Sequence, residues 1–240
     1  MTPLVLVHGF LGGGAQWAGQ VKALDHTREV IALDLPGFGA HAHLTAMSSI
    51  DGYADWVIEE VRARGIGRYD LLGHSMGGMI VQAVARKDAA RVRRLVLYST
   101  GSVGVLPGRF ETIEQSKSRA RADGPTKTAR RIAATWFQQE TRAHGYAHCA
   151  DIAQRAGLEA MLSGLDAMEA WSGTADLPGI SAQTLVIWGD GDRTYKWTQT
   201  NVLWTGIAGA RLAVVPGCAH AVHLEKPDVF NAILRDFLDT

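Results

Sequence analysis

The stretch LLGHSMGGMI, residues 71–80, sets an apolar run against a cluster of glycines with one serine at its centre. The run YDLL before it reads as a strand buried on both faces, and MIVQAVARK after it reads as a helix. A strand that turns sharply into a helix brings its own backbone segments very close together, which leaves no room for side chains at the flanking positions. Gly73 and Gly77 meet that requirement. The turn would expose the Ser75 hydroxyl and leave backbone N–H groups at the helix N-terminus free to bind an oxyanion.

Working outward, the same grammar repeats. Residues 3–9, 28–37, 93–100, 183–190 and 210–217 are further apolar runs closed by glycine, proline or small polar residues. Between several of them lie helical patterns. Ile50, Tyr53, Trp56, Val57 and Val61 recur at helical spacing behind Ser48 and Asp51, a candidate capping box. Val229, Phe230, Ile233, Leu234, Phe237 and Leu238 form a stripe after Pro227. Strands alternating with helices imply right-handed crossovers and an α/β fold with a mostly parallel open sheet. The rhythm breaks between Gly101 and Pro178, where the sequence is helical and rich in Arg and Ala. That interval is too long for a loop. The expected organisation is therefore a core domain over 1–100 and 179–240, with a helical cap inserted at 101–178.

A serine needs a base, and the base needs a carboxylate to orient it. WGDGDRTY places Asp190 and Asp192 after one strand, and PGCAHAVHLEKP places His220 and His223 after the next. Gly-x-Ser-x-Gly alone is a weak pattern. Its strand–turn–helix context and the order Ser, Asp, His make it strong.

Through LVLVHGFLGG (4–13), DLPGFG (34–39), GHSMGG (73–78), WGDGD (188–192) and PGCAHAVHLEKP (216–227), the chain resembles an α/β-hydrolase-fold enzyme over essentially its whole length. The resemblance implies Ser75 as nucleophile, Asp192 as acid and His220 as base, with the backbone N–H groups of Phe10 and Met76 as the oxyanion hole. It implies no cofactor and no metal. Asp190 reads as a turn-forming carboxylate, His223 as a packing histidine, His74 as support for the elbow and His8 as a brace for the oxyanion loop. Asp34 reads as the start of a turn. Trp136, Phe137, Trp171 and Met168 are the candidate lining of a substrate pocket.

The cap and the RARADGPTKTARRIAATWF segment are most similar to lactonases and esterases such as enol-lactone hydrolases. Hydrolases of meta-cleavage products, which break C–C bonds, commonly carry a Trp shortly after the base, where Ala221 and Val222 stand here. A menaquinone-pathway lyase of the same fold and a non-catalytic ligand-binding module are further alternatives. A serine at position 75 argues against the aspartate-nucleophile dehalogenases and epoxide hydrolases.

Composition narrows the partners. Lys+Arg and Asp+Glu balance at 24 each, so no global field draws the chain to nucleic acid or an anionic membrane. A small-molecule substrate is the expected partner; nothing in the sequence fixes an oligomeric state. One basic segment carries Arg109, Lys117, Arg119, Arg121, Lys127, Arg130 and Arg131 against Glu111, Glu114 and Asp123. It reads as a solvated helix face, with an Arg reaching a carboxylate-bearing substrate as the alternative. Cys149 and Cys218 read as free thiols. MTPLVLVHGF has no basic leader and reads as a first strand, which places the expected protein in the cytoplasm.

Overall fold

The computed structural model describes residues 1–107 and 111–240. Its elements run β1 (Leu4–Val7), α1 (Ala18–Leu24), β2 (Val30–Leu33), α2 (Ile50–Ala63), β3 (Tyr69–His74), α3 (Met76–Lys87) and β4 (Val92–Tyr98). Four helices follow, α4 (Ile113–Asp123), α5 (Pro125–Ala134), α6 (Tyr146–Ala153) and α7 (Leu158–Glu169). The chain closes with β5 (Gln183–Gly189), α8 (Trp197–Gly206), β6 (Arg211–Val215), α9 (Val222–Glu225) and α10 (Pro227–Asp239).

The sheet has six strands in the order β2-β1-β3-β4-β5-β6, every neighbouring pair parallel. β1 and β3 are wholly buried, as their unbroken apolar runs require when helices cover both faces. The edge strands β2 and β6 are half-buried. One face packs Leu4, Leu6, Leu72, Val96 and Ile187 against α1 and α10 through Leu24, Phe230, Leu234 and Phe237. The other packs Val5, Val7, Leu71 and Leu97 against α2 and α3.

Because β1 lies between β2 and β3, successive connections leave it in opposite directions, and a crevice opens at the carboxyl ends of β1 and β3. Their register sets Val7 beside Gly73. The loop after β1 and the turn after β3 therefore meet at one place.

Two local expectations change. Helix α2 is capped by Ser49, whose Oγ accepts from Gly52 N at 3.0 Å, and not by Ser48. Val229 is exposed, and the buried stripe of α10 is Phe230, Asn231, Leu234, Phe237 and Leu238. Its position at the start of the helix turns Val229 away from the sheet.

Helices α4–α7 lie between β4 and β5. The two ends of this insertion are joined by an antiparallel bridge between Val103 and Ser172, with Gly104 N donating to Trp171 O at 3.0 Å and Gly173 N to Ser102 O at 2.8 Å. Apolar side chains of the insertion, including Ile132, Trp136, Leu165 and Met168, continue the same buried cluster as Phe10, Phe38 and Met76. Its basic residues are largely spent internally. Lys117 pairs with Asp166 and Glu169, Arg119 and Arg131 with Glu111, and Lys127 with Asp123. Arg130 stacks on Tyr146, while Arg109 lies outside the described residues.

Candidate active site

Ser75 sits between β3 and α3 with φ 58° and ψ −121°, a left-handed conformation that a serine adopts only where its surroundings hold it there. Ser75 N donates to Tyr98 O at 3.0 Å, and Ser75 O accepts from the Thr100 hydroxyl at 2.7 Å. The glycines are required by crowding: a Cβ on Gly73 would lie 2.2 Å from Gly77 O, and one on Gly77 would lie 2.4 Å from Val7 O. Gly78 makes room for Thr100, 2.4 Å from where its Cβ would be.

His220 stands in the loop after β6, buried, with Nδ1 2.8 Å from Asp192 Oδ2. The Asp192 carboxylate is itself fixed, since its Oδ1 accepts from Thr194 N at 2.8 Å and Tyr195 N at 3.1 Å. One carboxylate thus holds an imidazole on one oxygen and its own loop on the other. Asp190 does something else: its Oδ1 accepts from Gly217 N at 2.7 Å and ties the β5 loop to the β6 loop.

Behind the base lies a buried ring cluster. The His220 carbonyl accepts from His74 Nε2 at 2.9 Å and from the Tyr98 hydroxyl at 3.1 Å. A carbonyl only accepts, so His74 carries its proton on Nε2. The rings of His74 and Tyr195 flank His220 at 4.5 and 5.7 Å. His223 Nδ1 lies 3.0 Å from the Tyr98 hydroxyl. Burial pushes His223 down to about 3 and holds His74 well below the ordinary histidine range, the charge on His220 adding to the effect at both. Both are therefore neutral around pH 7, and His220 is the ring of this cluster that has a carboxylate beside it.

On the other side, His8 Nε2 accepts from Leu35 N at 3.0 Å while its Nδ1 donates to Gly9 O at 2.8 Å. Burial lowers its pKa to about 4, which keeps the imidazole in that neutral, two-handed form. It braces the loop that carries Phe10. Among the described residues, neither Phe10 N nor Met76 N donates to a backbone acceptor. Asp34 fastens the adjoining turn, accepting from Gly14 N at 3.0 Å and Ala40 N at 2.9 Å.

Two cavities meet at Ser75 and His220. The smaller is lined also by Gly9, Phe10, Gly12, Gln16, His74 and Trp136. The larger adds Ile132, Thr135, Met168, Thr194 and Tyr195 to Phe10 and Trp136. Trp136 and Met168 therefore face the serine. Phe137 and Trp171 are not among the lining residues of either cavity: Phe137 packs on Gly145, and Trp171 packs on Gly173 at the foot of the insertion. In the short non-helical turn after α5, Trp136 lines the cavity while Phe137 turns toward Gly145. Ile132 and Thr135 went unread in the sequence, although they precede Trp136 by four and one residues. Thr194 and Tyr195 lie two and three residues after Asp192, and their N–H groups are drawn in by its carboxylate.

The family model for the alpha/beta hydrolase family matches residues 4–233. The chain is 30% identical to the 2-hydroxy-6-oxononadienedioate/2-hydroxy-6-oxononatrienedioate hydrolase of Escherichia coli, over 98% of its own length and 86% of that protein's. It is 28% identical to the putative carbamate hydrolase RutD of Agrobacterium fabrum, covering 99% of this chain and 93% of that one. The crystal structure of the enol-lactonase from Burkholderia xenovorans superposes with a TM-score of 0.90 at 27% identity, over 100% of this chain and 92% of that one. The family match starts at the first strand, ends within the last helix and takes in the elbow and both loops facing it: the chain belongs to the alpha/beta hydrolase family.

Proposed function

We propose that the protein is a serine hydrolase of small carboxylic esters or lactones, acting through Ser75, His220 and Asp192. The observation that carries this reading is a serine at φ 58° that shares two cavities with a buried histidine whose far nitrogen sits on a buried carboxylate. His220 takes the Ser75 proton as Oγ attacks the carbonyl carbon, and returns it to the leaving oxygen. Asp192 fixes the tautomer and stabilises the imidazolium. The N–H groups of Phe10 and Met76 receive the oxyanion, each worth about 3–4 kcal/mol in the transition state. Water then enters along the same path, His220 again acting as base, and the acid is released. The insertion over 101–178 acts as a cap, with Ile132, Trp136 and Met168 forming the acyl wall.

A second reading, hydrolysis of a C–C bond next to a carbonyl, is favoured by the 30% identity to the Escherichia coli hydrolase. The same triad serves both reactions. Hydrolysis of p-nitrophenyl esters from acetate to decanoate by the wild type, beside Ser75→Ala and His220→Ala, separates them. Both variants should fold and lose turnover by at least roughly 10³-fold. Either retaining the wild-type rate would remove the assignment, and a folded wild type inert on every ester but active on a vinylogous diketo acid would select the C–C reading.

A further inference from the structure

Glu225 lies at the end of α9, five residues beyond His220, and touches neither cavity at Ser75. Its two carboxylate oxygens are nevertheless divided between two distant segments. Oε2 accepts from Ala219 N at 2.6 Å, the residue before His220. Oε1 accepts from Gln138 N at 2.7 Å, two residues beyond Trp136. Between these contacts the seam is closed by backbone, Ala221 N donating to Trp136 O at 2.9 Å. Arg193, next to Asp192, extends it. Its Nη2 donates to Phe137 O at 2.7 Å, and its Nη1 pairs with Glu140 at 2.7 Å.

We propose that Glu225 is a positioning residue that locks the wall of the acyl cavity to the loop carrying the base, so that one carboxylate sets both placements. The inference rests on the reading of Ser75, Asp192 and His220 as a triad. Charge-assisted bonds from backbone N–H groups to a carboxylate are short and strong, and here neither N–H belongs to a helix or strand ladder that would hold it otherwise. Trp136 reaches the cavity from a short non-helical turn after α5, held on its N-terminal side by Trp136 N donating to Ala133 O at 3.2 Å. On its C-terminal side, its carbonyl and the N–H two residues on are fixed by residues 221 and 225. A shift of the seam would move the cavity wall and the imidazole together, and displacements near 1 Å at a reacting centre cost up to about 100-fold in rate.

Glu225→Gln tests this with little change in volume. An amide accepts through its one oxygen only, so one of the two N–H groups would face the NH2 group and the seam would open on that side. Expected are a fall in kcat of at least roughly tenfold on the preferred p-nitrophenyl ester and a flatter dependence of kcat/KM on acyl length, with KM for the shortest ester unchanged. Hydrogen exchange supplies a readout that needs no substrate. In Glu225→Ala, and in Glu225→Gln should the alanine variant not fold, the Ala221 N–H should lose protection although Glu225 never bonds it, while amides of α3 and β4 keep theirs. An Ala221 amide that stays protected, or an unchanged kcat and acyl profile in a variant that is merely less heat-stable, would overturn the proposal. A wild type that turns over no ester would instead remove the ester reading, and the exchange result would still decide the coupling.

Discussion

Asp190 and Asp192 are chemically identical and two residues apart, yet their surroundings give them different work. Asp190 meets one backbone N–H across a turn, whereas Asp192 meets an imidazole and two N–H groups at once. An asparagine at 190 keeps an acceptor oxygen for Gly217. An asparagine at 192 keeps the loop bonds only by turning its NH2 group toward His220, which then must present a lone pair at Nδ1 and a proton at Nε2, the wrong tautomer for a base. Asp192→Asn should therefore lower kcat roughly 10³–10⁴-fold while Asp190→Asn stays within about threefold, as read in ester hydrolysis. The reverse ranking would move the acid to position 190. The order of residues in WGDGD contains no such distinction; it comes from where the β6 loop passes.

At the scale of elements, the turn from β3 to α3 is built by subtraction. Gly77 lies where α3 presses on the end of β1, with Val7 O and His8 O at 2.4 and 2.5 Å from an added Cβ. These are backbone atoms that cannot swing away, and His8 begins the loop carrying Phe10. Gly77→Ala should cost about 1–3 kcal/mol of stability, seen as a lowered Tm, and should lower kcat further than Tm loss alone accounts for, because the loop after β1 must retreat from Ser75. A variant with wild-type kcat would show that the crowding is absorbed elsewhere.

The same elements mark what could be read beforehand. Strands buried on both faces announce themselves as unbroken apolar runs, and residues 71–80 announce their turn because only glycine fits it. The proposed triad could be read in the sequence because each member follows a strand in the turn or loop after it. The seam could not: Glu225 and Arg193 act on backbone groups brought close by folding, and a bond to a distant N–H leaves no periodicity or spacing in the sequence. Nor could the sequence tell Trp136 from Phe137, because both are aromatic and buried, and only the direction of one short stretch after α5 separates them.

At the scale of the whole molecule, three imidazoles among the described residues are held neutral by burial. His8 is lowered to about 4, His223 to about 3, and His74 lies well below its ordinary value. Unfolding returns each to a pKa near 6.5, so below that pH the unfolded chain binds protons that the folded one refuses. Stability therefore rises with pH in this window and is lost as pH falls from about 6.5 toward 4, at up to about 1.4 kcal/mol per pH unit for each histidine. Thermal unfolding followed from pH 7 to 4.5 should show Tm dropping steeply below pH 6, and His223→Gln should make that slope shallower if the glutamine is accommodated beside Tyr98. A flat Tm across the window would mean that these rings take up protons in the folded state.

The bridge between Val103 and Ser172 has a consequence for how such a chain can change. It brings the two necks of a long insertion side by side, so β4 and β5 are joined, in effect, through a hairpin's mouth. The entropy of closing a loop grows only with the logarithm of its length, and here the closure is made at the mouth whatever lies above it. Helices can be lengthened, shortened or exchanged beyond that point without disturbing the register of the sheet, so long as the stretch after α5 keeps its bonds to Ala221, Glu225 and Arg193. A lineage could thus remodel that segment while inheriting the sheet beneath it unchanged.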